Sequence, residues 1–202
     1  MLTQAEIDAA NEYGEKLRVA VHEIELPANE RVRAAAACFA IGQDVHHSIV
    51  KLIESRLYAG AFALVRVSFD AYIRAEWLWL CAKNNQVRRF LKGAEPPRLH
   101  AMLEELESKP VFQEQVLSSI HKRTWKTMCS YTHVGGLHVQ RWITADGIEP
   151  NYSADEVREA LQFADIIVAL SVIGILGIAN NDAAANSAEK VLEHYKLRLG
   201  AQ

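Results

Sequence analysis

Residues 61–82 constrain the fold more than any other part of this sequence, because they are apolar almost all the way round a helix. Between Phe62 and Leu80, large apolar side chains occur on nearly every side of the predicted helix. A helix that is apolar nearly all the way round is usually central and buried. Other helices must therefore surround this segment, and the sequence predicts a helical bundle with residues 61–82 at its centre.

Amphipathic helical patterns flank the central segment on both sides. Two of them begin with the spacing of a capping box, Thr3 with Glu6 and Ser153 with Glu156. Another is expected to end at the Gly135–Gly136 pair, because glycine readily takes the left-handed conformation of a helix C-cap. The helices predicted in addition to the central one cover residues 3–25, 29–55, 99–107, 111–133, 153–180 and 183–199.

The chain is expected to form one all-α domain over residues 1–202, a bundle of about five to seven helices. Its 10 glycines and 5 prolines are few for 202 residues, and a chain of this length can bury a single core. The helical period is lost over residues 137–152, where polar and apolar side chains alternate around Asp146–Gly147. A short hairpin or an extended loop is predicted there.

Charge and motifs exclude several functional classes. The formal net charge of −3 gives no overall field to attract nucleic acid or an anionic membrane, so such a partner must meet a local patch. The sequence has no Walker loop, no GxGxxG or GxSxG motif and no DNA-binding signature, and we predict no cofactor. The most apolar run, residues 166–179, is too short to span a bilayer.

The spacing of the cysteines and histidines indicates whether the chain forms disulfides and whether it binds a metal ion. Cys38, Cys81 and Cys129 are far apart, form no CxxC pair and follow no secretory signal, which indicates reduced thiols in a cytoplasmic protein. Asp44 and His47 are one helical turn apart, as metal ligands often are, but no further ligand follows at a suitable turn. We predict no metal site.

Two polar groups are candidates for chemistry. The first is Arg66, Asp70 and Arg74, which follow one another at four-residue steps and so lie on one strip of the central helix. They form either a structural ion-pair ladder or part of a binding site. The second is a strip on a later helix, which is either an ordinary solvated face with a histidine at its C-terminus or a site for phosphodiester chemistry. Its members are Arg123, Lys126, Ser130 and His133.

Two stretches resemble the HEPN-like superfamily of small helical bundles. They are LVRVSFDAYIRAEWL (residues 64–78) and SYTHVGG (residues 130–136). The resemblance covers about residues 43–136 and implies a homodimer that, in catalytically competent members, cleaves RNA without metal. Those members have an arginine and, after four to six intervening residues, a histidine at the end of a helix, in a cleft between protomers.

The match to that motif is incomplete. His133 matches the histidine. The most distant position that the spacing allows holds Lys126 in place of an arginine, and Arg123 lies further away still. A lysine binds phosphate as a point charge, without the bidentate fork of arginine. Arg66, Asp70 and Arg74 match the polar strip of the partner helix, and the resemblance implies that this strip faces the same cleft and supplies the missing guanidinium.

Two hypotheses follow, and the sequence does not decide whether the protein is an enzyme. In the first, a HEPN-like dimer binds or cuts RNA in a phage-defence or toxin–antitoxin setting. His133 is then the general acid or base, Lys126 and Arg74 hold the phosphate, and Asp70 orients an arginine or the histidine, with Arg66, Ser130 and Arg123 on the substrate. In the second, the protein is a non-enzymatic helical structural or interaction protein whose charged strips are structural or bind a partner protein.

Overall fold

The apolar segment at the centre of the sequence forms α3 (Tyr58–Leu80), which lies at the centre of the molecule. The computed structural model describes residues 1–200 and is all-helical over that range, with one isolated β-bridge and no strand. The other helices are α1 (Gln4–Ala20), α2 (Glu30–Glu54), α4 (Asn84–Leu91), α5 (Leu99–Glu107), α6 (Val116–Thr132), α7 (Gly136–Gln140), α8 (Ala154–Ala179) and α9 (Asp182–Leu199).

The core is built on α3, against which α2, α5, α6 and α8 all pack. Its largest fully buried side chains on α3 are Trp77, Phe69, Ile73 and Leu78. Each large apolar side chain removed from water contributes roughly 1.5–3 kcal/mol, so this helix anchors the bundle. The prediction of a central, buried helix is confirmed.

Small residues on α8 let α2 approach closely. A Cβ placed on Gly174 would lie 2.3 Å from Cζ of Phe39, and one placed on Gly42 would lie 3.1 Å from Oγ of Ser171. Phe39 is fully buried on α2. Glycine at position 174 is therefore a packing requirement between the two helices.

The helix α8 is long and apolar enough to cross a membrane when judged on length and composition alone. Of its most apolar 18-residue window, 61% is buried inside the bundle. Packing against α2, α3 and α9 is therefore sufficient to account for its apolar character.

A buried charged cluster connects four helices. The fully buried carboxylate of Asp165 on α8 lies 2.7 Å from Nε2 of His46 on α2 and accepts a hydrogen bond of 2.8 Å from Nε of Arg198 on α9. The hydroxyl of Tyr13 on α1 donates to the backbone oxygen of Asp165. His46 thus points inward while Asp44 and His47 are exposed, and residues 1–200 hold no group of three or more candidate metal ligands.

The number of helices is larger than predicted. Nine α-helices lie within residues 1–200, with a 3₁₀ turn over Pro110–Phe112, whereas we expected about five to seven. The two additional helices are short: α4 and α7 have 8 and 5 residues. Residues 137–152 also differ in part from the predicted hairpin or extended loop, because the first of them lie within α7. The rest form a loop, and the only bridge in the described chain pairs Ile143 with Ile148 there.

Two helix boundaries differ from the prediction for local reasons. The left-handed residue after α6 is Val134, with φ 53°, and Gly135 is extended as the N-cap of α7. α6 begins at Val116 and not directly after Pro110, because the proline opens the separate 3₁₀ turn. α3 also begins three residues earlier than predicted, at Tyr58 and not at residue 61.

Candidate anion-binding groove

Arg66, Asp70 and Arg74 lie side by side on α3, as their spacing predicted. Oδ2 of Asp70 is 3.7 Å from Nε of Arg66 and 3.8 Å from a terminal nitrogen of Arg74, so the carboxylate sits between two guanidinium groups. Burial raises the pKa of Asp70, and the two arginines oppose that shift. Nε of Arg66 and Nε of Arg74 are buried without a hydrogen-bond partner, so Asp70 does not satisfy the two groups fully.

These three side chains line a groove of about 500 Å³. The helix α6 adds His121 and Trp125, and the segment before and within α5 completes the lining with Glu95, Pro96, Pro97, Arg98, Leu99, His100 and Met102. Three arginines and two histidines face two carboxylates there. Guanidinium groups in a partly enclosed space favour anions, particularly phosphates, which they bind with two parallel hydrogen bonds. We refer to this feature as the anion-binding groove.

Arg66 connects the groove to His133. Its guanidinium carbon lies 4.5 Å from the centre of the Trp125 ring, a cation–π distance. Its Nη1 donates a hydrogen bond of 2.5 Å to Nε2 of His133. Because a guanidinium has no acceptor, Nε2 of His133 is the unprotonated nitrogen and the ring proton is on Nδ1. The structure therefore brings His133 together with an arginine that is 67 positions away in the sequence.

The turn after α6 fixes the position of His133. His133 is the C-cap residue of this helix, and its backbone N–H donates to the Cys129 oxygen. The N–H of Gly135 then donates to the Ser130 oxygen at 2.7 Å, and the Ser130 hydroxyl accepts from the N–H of Leu137. A Cβ on Gly135 would lie 2.6 Å from Oγ of Ser130, which explains the glycine. Ser130 thus holds the turn that presents the histidine.

Two of the predicted site residues lie elsewhere on α6. Lys126 is exposed and is not among the residues that line the groove. Arg123 lines a second cavity of about 420 Å³ between α6 and α8, whose lining includes Phe62, Met128 and Phe163. The strip of four residues predicted on this helix is therefore split between different surfaces.

The sequence analysis predicted three of the residues that line the groove; among the others are Arg98, His100, His121 and Trp125. His121, Trp125 and Cys129 precede His133 at intervals of four residues, so they lie on the same strip of α6. This spacing could have predicted the side of the groove that α6 forms. Burial lowers the pKa of His121, nearby His100 lowers it further, and Asp70 opposes both. No sequence pattern pointed to Arg98 or His100, because packing of α5 against α3 places them in the groove.

The fold and the groove define a class: an all-α bundle with a cationic groove that is partly walled by aromatic rings. The chain belongs to a family of unknown function, DUF6988, whose sequence model matches residues 39–200. No curated protein and no solved structure matches the chain. The family match includes every helix from α3 onward and all groove residues, but it does not connect the chain with the HEPN-like superfamily, which stays a prediction.

Proposed function

We propose that this protein binds RNA through its phosphates in the anion-binding groove and cleaves it without a metal ion at the Arg66–His133 pair. The observation that carries the proposal is the hydrogen bond to Nε2 of His133 from Arg66, which lines the groove. A histidine paired with a guanidinium combines a proton acceptor with a phosphate-binding group. The motif of catalytic HEPN-like members requires an arginine shortly before the histidine, and this sequence has none there. In this proposal Arg66 on α3 takes the role of that arginine.

The groove offers guanidinium groups from more than one part of the fold for contact with phosphates. Arg66 and Arg74 on α3 converge on Asp70, with one nitrogen of each 3.7 and 3.8 Å from its Oδ2. Arg98 lines the same groove from outside α3. Counterions released from phosphates add to the affinity of such a site, which should therefore decrease with salt.

The proposed reaction is an intramolecular transesterification. The ribose 2′-oxygen attacks the adjacent phosphorus while Nε2 of His133 accepts the 2′-hydroxyl proton. The bond from phosphorus to the 5′-oxygen breaks, that oxygen takes a proton from water, and the products carry a 2′,3′-cyclic phosphate and a 5′-hydroxyl. Arg66 and Arg74 stabilise the charge that develops on the phosphoryl oxygens. For His133 to act, Arg66 must turn from Nε2 to the phosphate.

Cleavage of a mixed RNA pool in EDTA tests this proposal. His133→Ala and Arg66→Ala should each reduce the rate at least about 100-fold, because positioned acid–base and electrostatic groups contribute at that level. The controls are His22→Ala and Arg33→Ala, which change exposed residues of the same types outside the groove. No cleavage by folded wild type, or equal cleavage by His133→Ala, would contradict the enzymatic proposal.

A separate observation favours the second hypothesis, an interaction protein. The residues after His133 expose a run of large apolar side chains, of which Ile148 is 86% exposed and Val134 is 71% exposed. Such runs typically mark protein interfaces. The other members are Leu137, Val139, Trp142 and Ile143.

The interaction hypothesis and the expected homodimer have their own test. Light scattering of wild type and of Leu137→Asp with Ile148→Asp measures whether this surface holds protomers together. A mass unchanged by the double substitution excludes a homodimer through it. The phage-defence or toxin–antitoxin setting stays a prediction that the gene neighbourhood tests.

A further inference from the structure

Flat ring systems form part of the anion-binding groove, and a phosphate site alone does not require them. Trp125 and His121 line it from α6, with ring centres 4.9 Å apart and planes inclined by 40°. His100 and the Pro96–Pro97 pair line it from the segment at α5. The groove therefore offers guanidinium groups and stacking surfaces in the same cavity.

We propose that Trp125 stacks against a nucleobase and that the groove accepts single-stranded RNA and excludes duplex. This inference rests on the proposed function, because it takes RNA as the ligand. Trp125 is half-buried and lines the cavity while the Arg66 guanidinium lies against its ring. A base on this ring would place its own phosphate next to Arg66.

The concave shape of the site selects for unpaired bases. A base reaches a ring inside a cavity of about 500 Å³ only if it leaves its stack. Bases in an A-form duplex are stacked and paired, and that duplex presents its phosphates and 2′-hydroxyls at the surface. A positively charged groove with aromatic side chains is the usual design of proteins that bind single strands with little sequence preference.

Binding is best measured by fluorescence anisotropy with labelled strands that cannot be cleaved. The probes are a 12-nucleotide strand with 2′-O-methyl groups, the same strand with abasic positions, and the corresponding duplex. The proteins are wild type, Trp125→Leu, Trp125→Phe and Trp79→Leu, the last a matched change of another half-buried tryptophan that does not line the groove. Comparing the intact and abasic strands on wild type needs no variant, so the test does not depend on the folding of Trp125→Leu.

Wild type should bind the intact strand about 5- to 150-fold more tightly than the abasic strand, the range found for one stacked base. Trp125→Leu should lose this preference, whereas Trp125→Phe and Trp79→Leu should keep most of it. Equal affinity for intact and abasic strands, or duplex binding as tight as single-strand binding, overturns the stacking role.

The failure of stacking and the failure of RNA binding give different results. If intact and abasic strands bind wild type equally and both lose affinity in Arg66→Ala with Arg74→Ala, then phosphate binding stands and the role of Trp125 is wrong. If no strand binds wild type, both proposals are wrong.

Discussion

Replacing Gly174 with alanine is expected to destabilise the bundle, although alanine is the better helix former. A Cβ at this position would lie 2.3 Å from Cζ of Phe39 and 2.7 Å from each of its Cε atoms. Carbon atoms in contact are normally about 3.5–4.0 Å apart. The Phe39 ring is fully buried, so it can move aside only by displacing its own neighbours.

The net effect follows from two opposing contributions. Alanine in place of glycine within a helix contributes about 1 kcal/mol of stability. Overpacking a well-filled core costs about 1–3 kcal/mol, and the shift needed here, more than about 1 Å, places Gly174→Ala at the upper end of that range. The free energy of unfolding should therefore decrease by about 2 kcal/mol.

Gly177 provides the matched control on the same helix. A Cβ there has no heavy atom within 4 Å, so Gly177→Ala should gain up to about 1 kcal/mol. Urea unfolding followed by far-UV circular dichroism should separate the two variants by about 3 kcal/mol. Phe39→Leu should reduce the cost of Gly174→Ala in a double-mutant cycle. If Gly174→Ala is as stable as Gly177→Ala, the close α2–α8 contact described above is wrong.

Three further predictions concern other parts of the chain. Asp165→Ala removes the shared partner of His46 and Arg198 and should cost roughly 3–5 kcal/mol in chemical unfolding, and a loss below about 1 kcal/mol would contradict the cluster's role. Burial raises the pKa of Glu76 from 4.5 to about 7, so the folded state binds more protons than the unfolded state. Glu76 should therefore contribute a loss of about 3 kcal/mol as the pH rises from 4 to 8, measured as the difference between wild type and Glu76→Gln in urea unfolding at the two pH values. Ser153→Ala removes the capping box of α8 and should cost about 1 kcal/mol in thermal unfolding, whereas an unchanged melting temperature would show that the cap is dispensable.

Features with a local cause could be predicted from the sequence. Both capping boxes form, and α5 has the predicted bounds Leu99–Glu107. The apolar run of α3 required a central position, and the structure agrees. Helical periodicity and capping depend on neighbours within about four residues, which is why one sequence is sufficient to reveal them.

The glycine pair after α6 shows where such local reasoning fails. Its position marked the end of the helix, but Val134 takes the left-handed conformation. Gly135 is glycine because a Cβ at this position would lie 2.6 Å from Oγ of Ser130 in the folded turn. The glycine pair therefore predicted correctly that the helix ends here. The physical reason for glycine at position 135 became clear only from the packing of the turn.

The candidate site divides in the same way. The sequence determined that Arg66, Asp70 and Arg74 share one strip of α3 and that His133 ends α6, because helical spacing fixes both. Only the tertiary structure decided that α6 packs on α3 with Arg66 against Trp125 and His133, and that Arg98 and His100 join them from the α5 segment. The physical reason is that the period of a helix places side chains on its own faces, whereas burial of the whole core determines which faces meet.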